Sequence, residues 1–161
     1  MDNKNRLHKI KVWDLLKKIW SIDIINISKL DIVHLKNIED ISWKIFMQSI
    51  SDEEIYIRFE DISYISKNIC DYCGNWFNQK MILENLSHRY AKHTNKVDAQ
   101  DDIRPINNDI TIDIITPITQ AIMINCNIQN ICSNCKDKTN KWDDDYDQYE
   151  TTKINHPIFI S

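Results

Sequence analysis

The sequence predicts an α+β domain, mainly antiparallel β, with a short helix near residues 117–125 and a further helix at the N-terminus. Three observations carry this expectation. Apolar and polar residues alternate in several stretches, the period-two signature of half-buried strands. One stretch past residue 115 changes to helical spacing behind a Thr-Pro pair. The 161 residues are 42% apolar and 27% charged, which suits one core and an ordinary surface.

Residues 1–20 are basic, with Lys4, Arg6, Lys9, Lys11, Lys17 and Lys18 against Asp2 and Asp14. Leu7, Val12, Leu15, Leu16 and Ile19 can line one helical face, so this segment is expected to pack with its lysines in solvent. Residues 21–40 show no clear period. In "SWKIFMQSI" Trp43, Ile45 and Met47 share one parity, and after the polar turn "SDEE" so do Ile55, Ile57 and Phe59. That pattern reads as a β-hairpin. The next stretch, "DISYISKNI", is strand-like with poorer alternation and runs into Cys70. A further strand is expected within "WFNQKMILENLSHRYA", where Phe77, Met81 and Leu83 share parity.

Residues 92–109 are polar, contain Pro105, and read as a long loop. Alternation returns through Ile110, Ile112 and Ile114. Thr116 then suits an N-cap and Pro117 the first helical position, with Ile118, Ala121 and Ile122 facing inward. The stretch "DKTNKWDDDYDQYE" is acidic and expected to be solvated, and "HPIFIS" reads as a short docked end. The chain therefore divides into a basic segment over 1–40 packing on the domain, a β-rich domain over 41–136, and an acidic tail over 137–161.

Composition adds a constraint. Isoleucine occurs 31 times and valine three times, and Gly74 is the only glycine. Both branched residues suit strands and cores, so physical preference does not separate them. Codon bias in a very AT-rich genome accounts for the skew and for the scarcity of glycine. A glycine kept under that pressure marks a position that needs one.

That glycine follows Cys70 and Cys73 in "ICDYCG". A second pair, Cys132 and Cys135, stands in "ICSNCK", with 58 residues between the pairs. Two residues between cysteines let the chain fold into a knuckle that aims both sulfurs at one point. Two knuckles supply the four thiolates that structural zinc prefers. The residue after the second cysteine often needs positive φ, which glycine adopts without steric cost. Lys136 holds that place in the second pair, which implies a different closure there. Cys126, among isoleucine, methionine and asparagine, reads as a small core residue. A competing ligand set is Cys70, Cys73, His88 and His93, whose spacing approaches a two-cysteine, two-histidine finger and requires "LENLSHRYAKH" to be helical.

Other function classes lack their signatures. The net charge of −4 excludes a globally basic nucleic-acid binder. The sequence holds no phosphate-binding glycine loop, no nucleophile elbow and no His-Glu-x-x-His, so no enzyme motif emerges. No stretch reaches the roughly 18 uncharged apolar residues of a membrane span. The start, "MDNKNRLHKIKVWDLLKK", has no apolar signal region, so the protein is expected to work where it is made.

The order of features resembles a known family. A strand enters "ICDYCGNWFNQKMILENL", a polar loop follows, and "TIDIITPITQAIMIN" leads to "ICSNC". This is similar to the YceD family, the large-ribosomal-RNA accumulation proteins of bacteria and plastids. The likeness spans roughly residues 50–136. Unlike common members, this chain lacks a Gly-Leu-Cys after the second cluster and carries Gln120 where an acidic residue is usual. The resemblance implies a non-enzymatic factor supporting accumulation or processing of large-subunit ribosomal RNA during ribosome assembly. Its partner would be an assembly protein or the RNA precursor, with no small-molecule substrate and no membrane. With the AT-rich bias, it also implies an organelle-encoded protein of the plastid stroma, or otherwise a bacterial cytoplasmic one. The alternative function is a zinc-finger nucleic-acid-binding regulator using the cysteine–histidine set.

Overall fold

The computed structural model describes residues 9–93, 103–126 and 129–138. Residues 1–8, the middle of the polar stretch at 94–102, and the acidic tail from 139 onward lie outside it. The architecture is mixed α+β and mostly antiparallel. Two units are distinguished, one from Met1–Lys67 with Asn78–Asn127, the other from Asn68–Phe77 with Ile128–Ser161.

The first unit is built on a long hairpin. Strand β3 (Ile38–Ser49) pairs antiparallel with β4 (Glu54–Ile69), joined through Ser51, whose hydroxyl accepts from the Glu53 and Glu54 amides. The alternation works as the sequence implies: Trp43, Ile45 and Met47 on β3 and Ile55, Ile57 and Phe59 on β4 are all buried. On the opposite face the side chains are polar or aromatic and partly solvated. There Arg58 lies 4.9 Å from the centroid of the Phe46 ring and pairs with Glu60.

Around this hairpin the sheet runs β2-β3-β4-β6-β7, with β5 also paired to β4. Strands β5 (Trp76–Ile82) and β6 (Leu86–Ala91) occupy the stretch where one strand was expected. Strand β2 (Ile22–Leu30) lies in a segment that shows no period in the sequence. The reason is that Ile25 and Ile27 pair toward the core side, opposite Ile45 and Trp43, while Ile22 and Ile24 on the other side are half exposed. Both parities are apolar, so alternation vanishes. Strand β7 (Ile103–Pro105) corrects the reading of 92–109 as loop throughout; it pairs parallel with β6 at Arg89↔Ile103. Three residues with a proline at the end carry no strand signal of their own.

The N-terminal helix shrinks to one turn, α1 (Trp13–Leu16), preceded by β1 (Lys9–Lys11). Strand β1 pairs antiparallel with β8 (Thr111–Asp113), so tertiary pairing overrides the helical pattern there. Val12 and Leu16 are buried, but Ile19 is exposed. Helix α2 (Ile115–Ile124) matches the expected helix and buries Ile118, Ala121 and Ile122. The side chain that caps it is Asp113, just before the N-cap position at Ile114, and not Thr116. The Asp113 carboxylate accepts from the amides of Ile115 at 2.9 Å and Thr116 at 3.2 Å, and from the Thr116 hydroxyl. Pro117 falls within the first turn, where a missing N–H costs nothing.

Three register shifts twist the sheet. One extra residue sits on β2 between Ile27 and Leu30, one on β3 between Glu39 and Ser42, and one on β4 between Glu60 and Ser63. Each holds a residue with positive φ: Lys29 at 53°, Asp40 at 52° and Asp61 at 52°. These are β-bulges in which glycine often takes the left-handed position. The Asp61 bulge moves the inward parity from Phe59 to Ile62 and Tyr64, which explains the weak alternation after residue 60.

Candidate metal centre

The second unit begins where β4 ends. Residues 70–75 connect β4 to β5, so the first cysteine pair sits in the turn between two paired strands. The Cys70 amide donates to the Asn75 carbonyl at 2.9 Å, and the Gly74 amide donates back to the Cys70 carbonyl at 2.9 Å. Gly74 has φ +71°, as its position after the pair implies. Apart from its chain neighbours, no residue comes within 4 Å of where a Cβ would stand, so the requirement for glycine is conformational and not one of space.

The second pair closes differently. Cys132 precedes a helical turn over 133–138 that contains Cys135. The amides of Cys135 and Lys136 both donate to the Cys132 carbonyl, at 3.0 and 3.1 Å. Helical backbone needs no positive φ, which is why lysine serves where the first knuckle uses glycine. Reciprocal hydrogen bonds hold the two segments together. Asp71 donates its amide to the Asn130 carbonyl at 2.8 Å, and the Asn130 amide donates to Asp71 Oδ2 at 2.7 Å.

This brings the sulfurs of Cys70, Cys73, Cys132 and Cys135 within 4.8 Å of one another. The Cys73 and Cys132 sulfurs are 3.8 Å apart. A tetrahedron of about 2.3 Å zinc–sulfur bonds has edges of about 3.8 Å. All five cysteines are free thiols. Cys70, Cys132 and Cys135 are buried, with Phe77 and Ile131 packed against them, and Cys73 is exposed. The four side chains therefore form a cluster that can hold a metal ion and is compatible with zinc.

The electrostatics of the cluster point the same way. Cys70 Sγ accepts the Cys132 amide at 3.4 Å. That bond, with those from the Cys73 and Tyr72 amides, draws the Cys70 thiol down to about 6 against the opposing effect of burial. Cys135 is pushed up to about 12, first by donating its proton to Cys132, then by burial and the neighbouring sulfurs. Without a cation the thiolate is favoured at Cys70 and a proton is retained at Cys135. A divalent cation bound there would take the place of the protons.

The competing ligand set does not assemble. His88 lies in β6, buried with its ring 6.0 Å from that of Phe59, and the stretch that a finger needs as helix is strand. His93 Nε2 stands 3.9 Å from Glu53 Oε1. Among the described residues the four-cysteine group is the one metal-ligating cluster, and neither histidine belongs to it. Cys126 is not a core residue: it is exposed just past the end of α2 and donates to the Ile122 carbonyl at 3.5 Å. No described helix is long and apolar enough to cross a membrane.

The fold and the cluster together define a small α+β protein that carries four cysteines placed so that they could hold a metal ion. No family model, curated protein or solved structure matches the chain.

Proposed function

We propose that the chain is a non-enzymatic factor, knit by one structural zinc ion at Cys70, Cys73, Cys132 and Cys135, that supports accumulation or processing of large-subunit ribosomal RNA during ribosome assembly. The observation that carries the metal half is the convergence of four sulfurs within 4.8 Å from segments 58 residues apart in the chain. Four protein thiolates leave no open position for water or substrate, the mark of a structural and not a catalytic zinc site.

The RNA half rests on the likeness to the YceD family in the order strand, Cys-x-x-Cys, polar loop, "TIDIITPITQAIMIN", Cys-x-x-Cys. The partner is an assembly protein or a large-subunit RNA precursor. The net charge of −4 favours a protein partner or a local RNA patch over tight sequence-independent RNA binding. The compartment that fits the codon bias is the plastid stroma, with a bacterial cytoplasm as the other candidate.

Two experiments test the halves separately. Cobalt loading gives thiolate charge-transfer bands that Cys132→Ser alters and His88→Ala leaves intact; the reverse result ends the four-thiolate reading. Depletion of the protein lowers large-subunit ribosomal RNA relative to small-subunit RNA. An unchanged ratio removes the assembly role.

A further inference from the structure

We propose that Cys73 is an oxidation site through which hydrogen peroxide opens the metal centre. This rests on the zinc reading above and adds a reaction to it. Of the four ligand cysteines, three are at most 8% exposed, while Cys73 is open to solvent. The adjoining Gly74 is exposed as well, and apart from its chain neighbours nothing lies within 4 Å of the position its Cβ would take. A small oxidant reaches this sulfur first.

A second thiol stands ready to complete the reaction. Cys132 Sγ is 3.8 Å from Cys73 Sγ. A disulfide needs about 2.05 Å, so the two sulfurs close about 1.8 Å, a movement within reach of side-chain rotation. The Cys73 thiolate attacks one peroxide oxygen, the O–O bond breaks, and hydroxide leaves, giving a sulfenic acid. The Cys132 thiolate then attacks the Cys73 sulfur and expels a second hydroxide. Two electrons pass from two sulfurs to one peroxide, and one S–S bond forms. Only Cys70 and Cys135 would then remain to hold the ion, half the ligand set, so its release would follow.

Cys126 provides an internal reference. It is an exposed thiol outside any metal-ligating cluster, so peroxide takes it to the sulfenic acid without an S–S partner from the centre. Its reaction reports that oxidant is present, independently of the zinc site.

The test uses the full chain loaded with zinc and titrated with hydrogen peroxide, with released zinc read by a colorimetric chelator and disulfides mapped by peptide mass spectrometry. The expected result is about one zinc released per peroxide consumed at the centre, a Cys73–Cys132 bond, and recovery with dithiothreitol and added zinc. Cys126→Ser leaves that release unchanged. Zinc retained while Cys126 is oxidised overturns the proposal alone, as does a mapped disulfide that excludes Cys73. A chain that takes up no zinc at the outset overturns the metal reading and this one with it.

Discussion

Replacing Gly74 with alanine isolates the backbone requirement of the first knuckle. Gly74 sits at φ +71°, and the added methyl meets no atom within 4 Å. Sterics with neighbours therefore contribute nothing, and the whole cost is that of holding an L-residue in the left-handed region, about 1–2 kcal/mol. Only the partly buried Phe77 and Ile131 pack against the buried cysteines, so if the site holds zinc, knuckle formation and metal binding would be one equilibrium. The cost then appears as weaker metal affinity, roughly five- to thirtyfold at about 1.4 kcal/mol per decade. Asparagine tolerates this conformation better than alanine, so Gly74→Asn loses less. Competition between the protein and a chelator of known zinc affinity reads both values. Affinities for Gly74→Ala and Gly74→Asn both equal to that of the parent protein refute the reasoning.

Further outcomes follow from the same structure. Asp113→Ala removes the acceptor for the Ile115 and Thr116 amides and lowers stability by about 1 kcal/mol, or about 2–4 °C in thermal unfolding; Asp113→Asn recovers most of it. Ile57→Ala, at a fully buried position, costs about 2–5 kcal/mol in denaturant unfolding, whereas Ile24→Ala on the open face stays within about 0.5 kcal/mol. Lys29→Gly relieves a left-handed residue at the β2 bulge and raises stability by about 0.5–1 kcal/mol in the same assay; a loss instead means the bulge is not strained. Metal affinity falls as pH falls, because protons compete for sulfur. With the Cys70 thiol at about 6, its proton must be displaced only below that pH. Isothermal titration across pH therefore shows the slope of log affinity steepening by about one per pH unit as pH drops through about 6.

The legible parts of the fold were those where one physical signal acted alone. Trp43, Ile45 and Met47 face one core, and Ile118, Ala121 and Ile122 face it from a helix, so their spacing reads directly. Gly74 and the paired cysteines read directly as well, because knuckle chemistry is local and the residue choice is narrow. Signals failed where two influences overlapped. In β2 the outward Ile22 and Ile24 mask the inward Ile25 and Ile27. In β4 the Asp61 bulge swaps faces midway. The β1–β8 and β6–β7 pairings are three residues each and are set by neighbours distant in sequence. The Asp113 cap escaped because Thr116 stands directly before a proline, the usual order of a cap and the first helical residue.

The contrast between the two hydrophobic groupings carries one more consequence. The first gathers buried side chains from the strands and both helices, while the second consists of three buried cysteines with a partly buried phenylalanine and isoleucine. If the four cysteines hold an ion in the cell, its supply would govern how much of the population has a finished second unit. A shortage would yield molecules that are half assembled, not unfolded, and any partner that grips the cysteine-bearing segments would in effect be reading the cell's metal status.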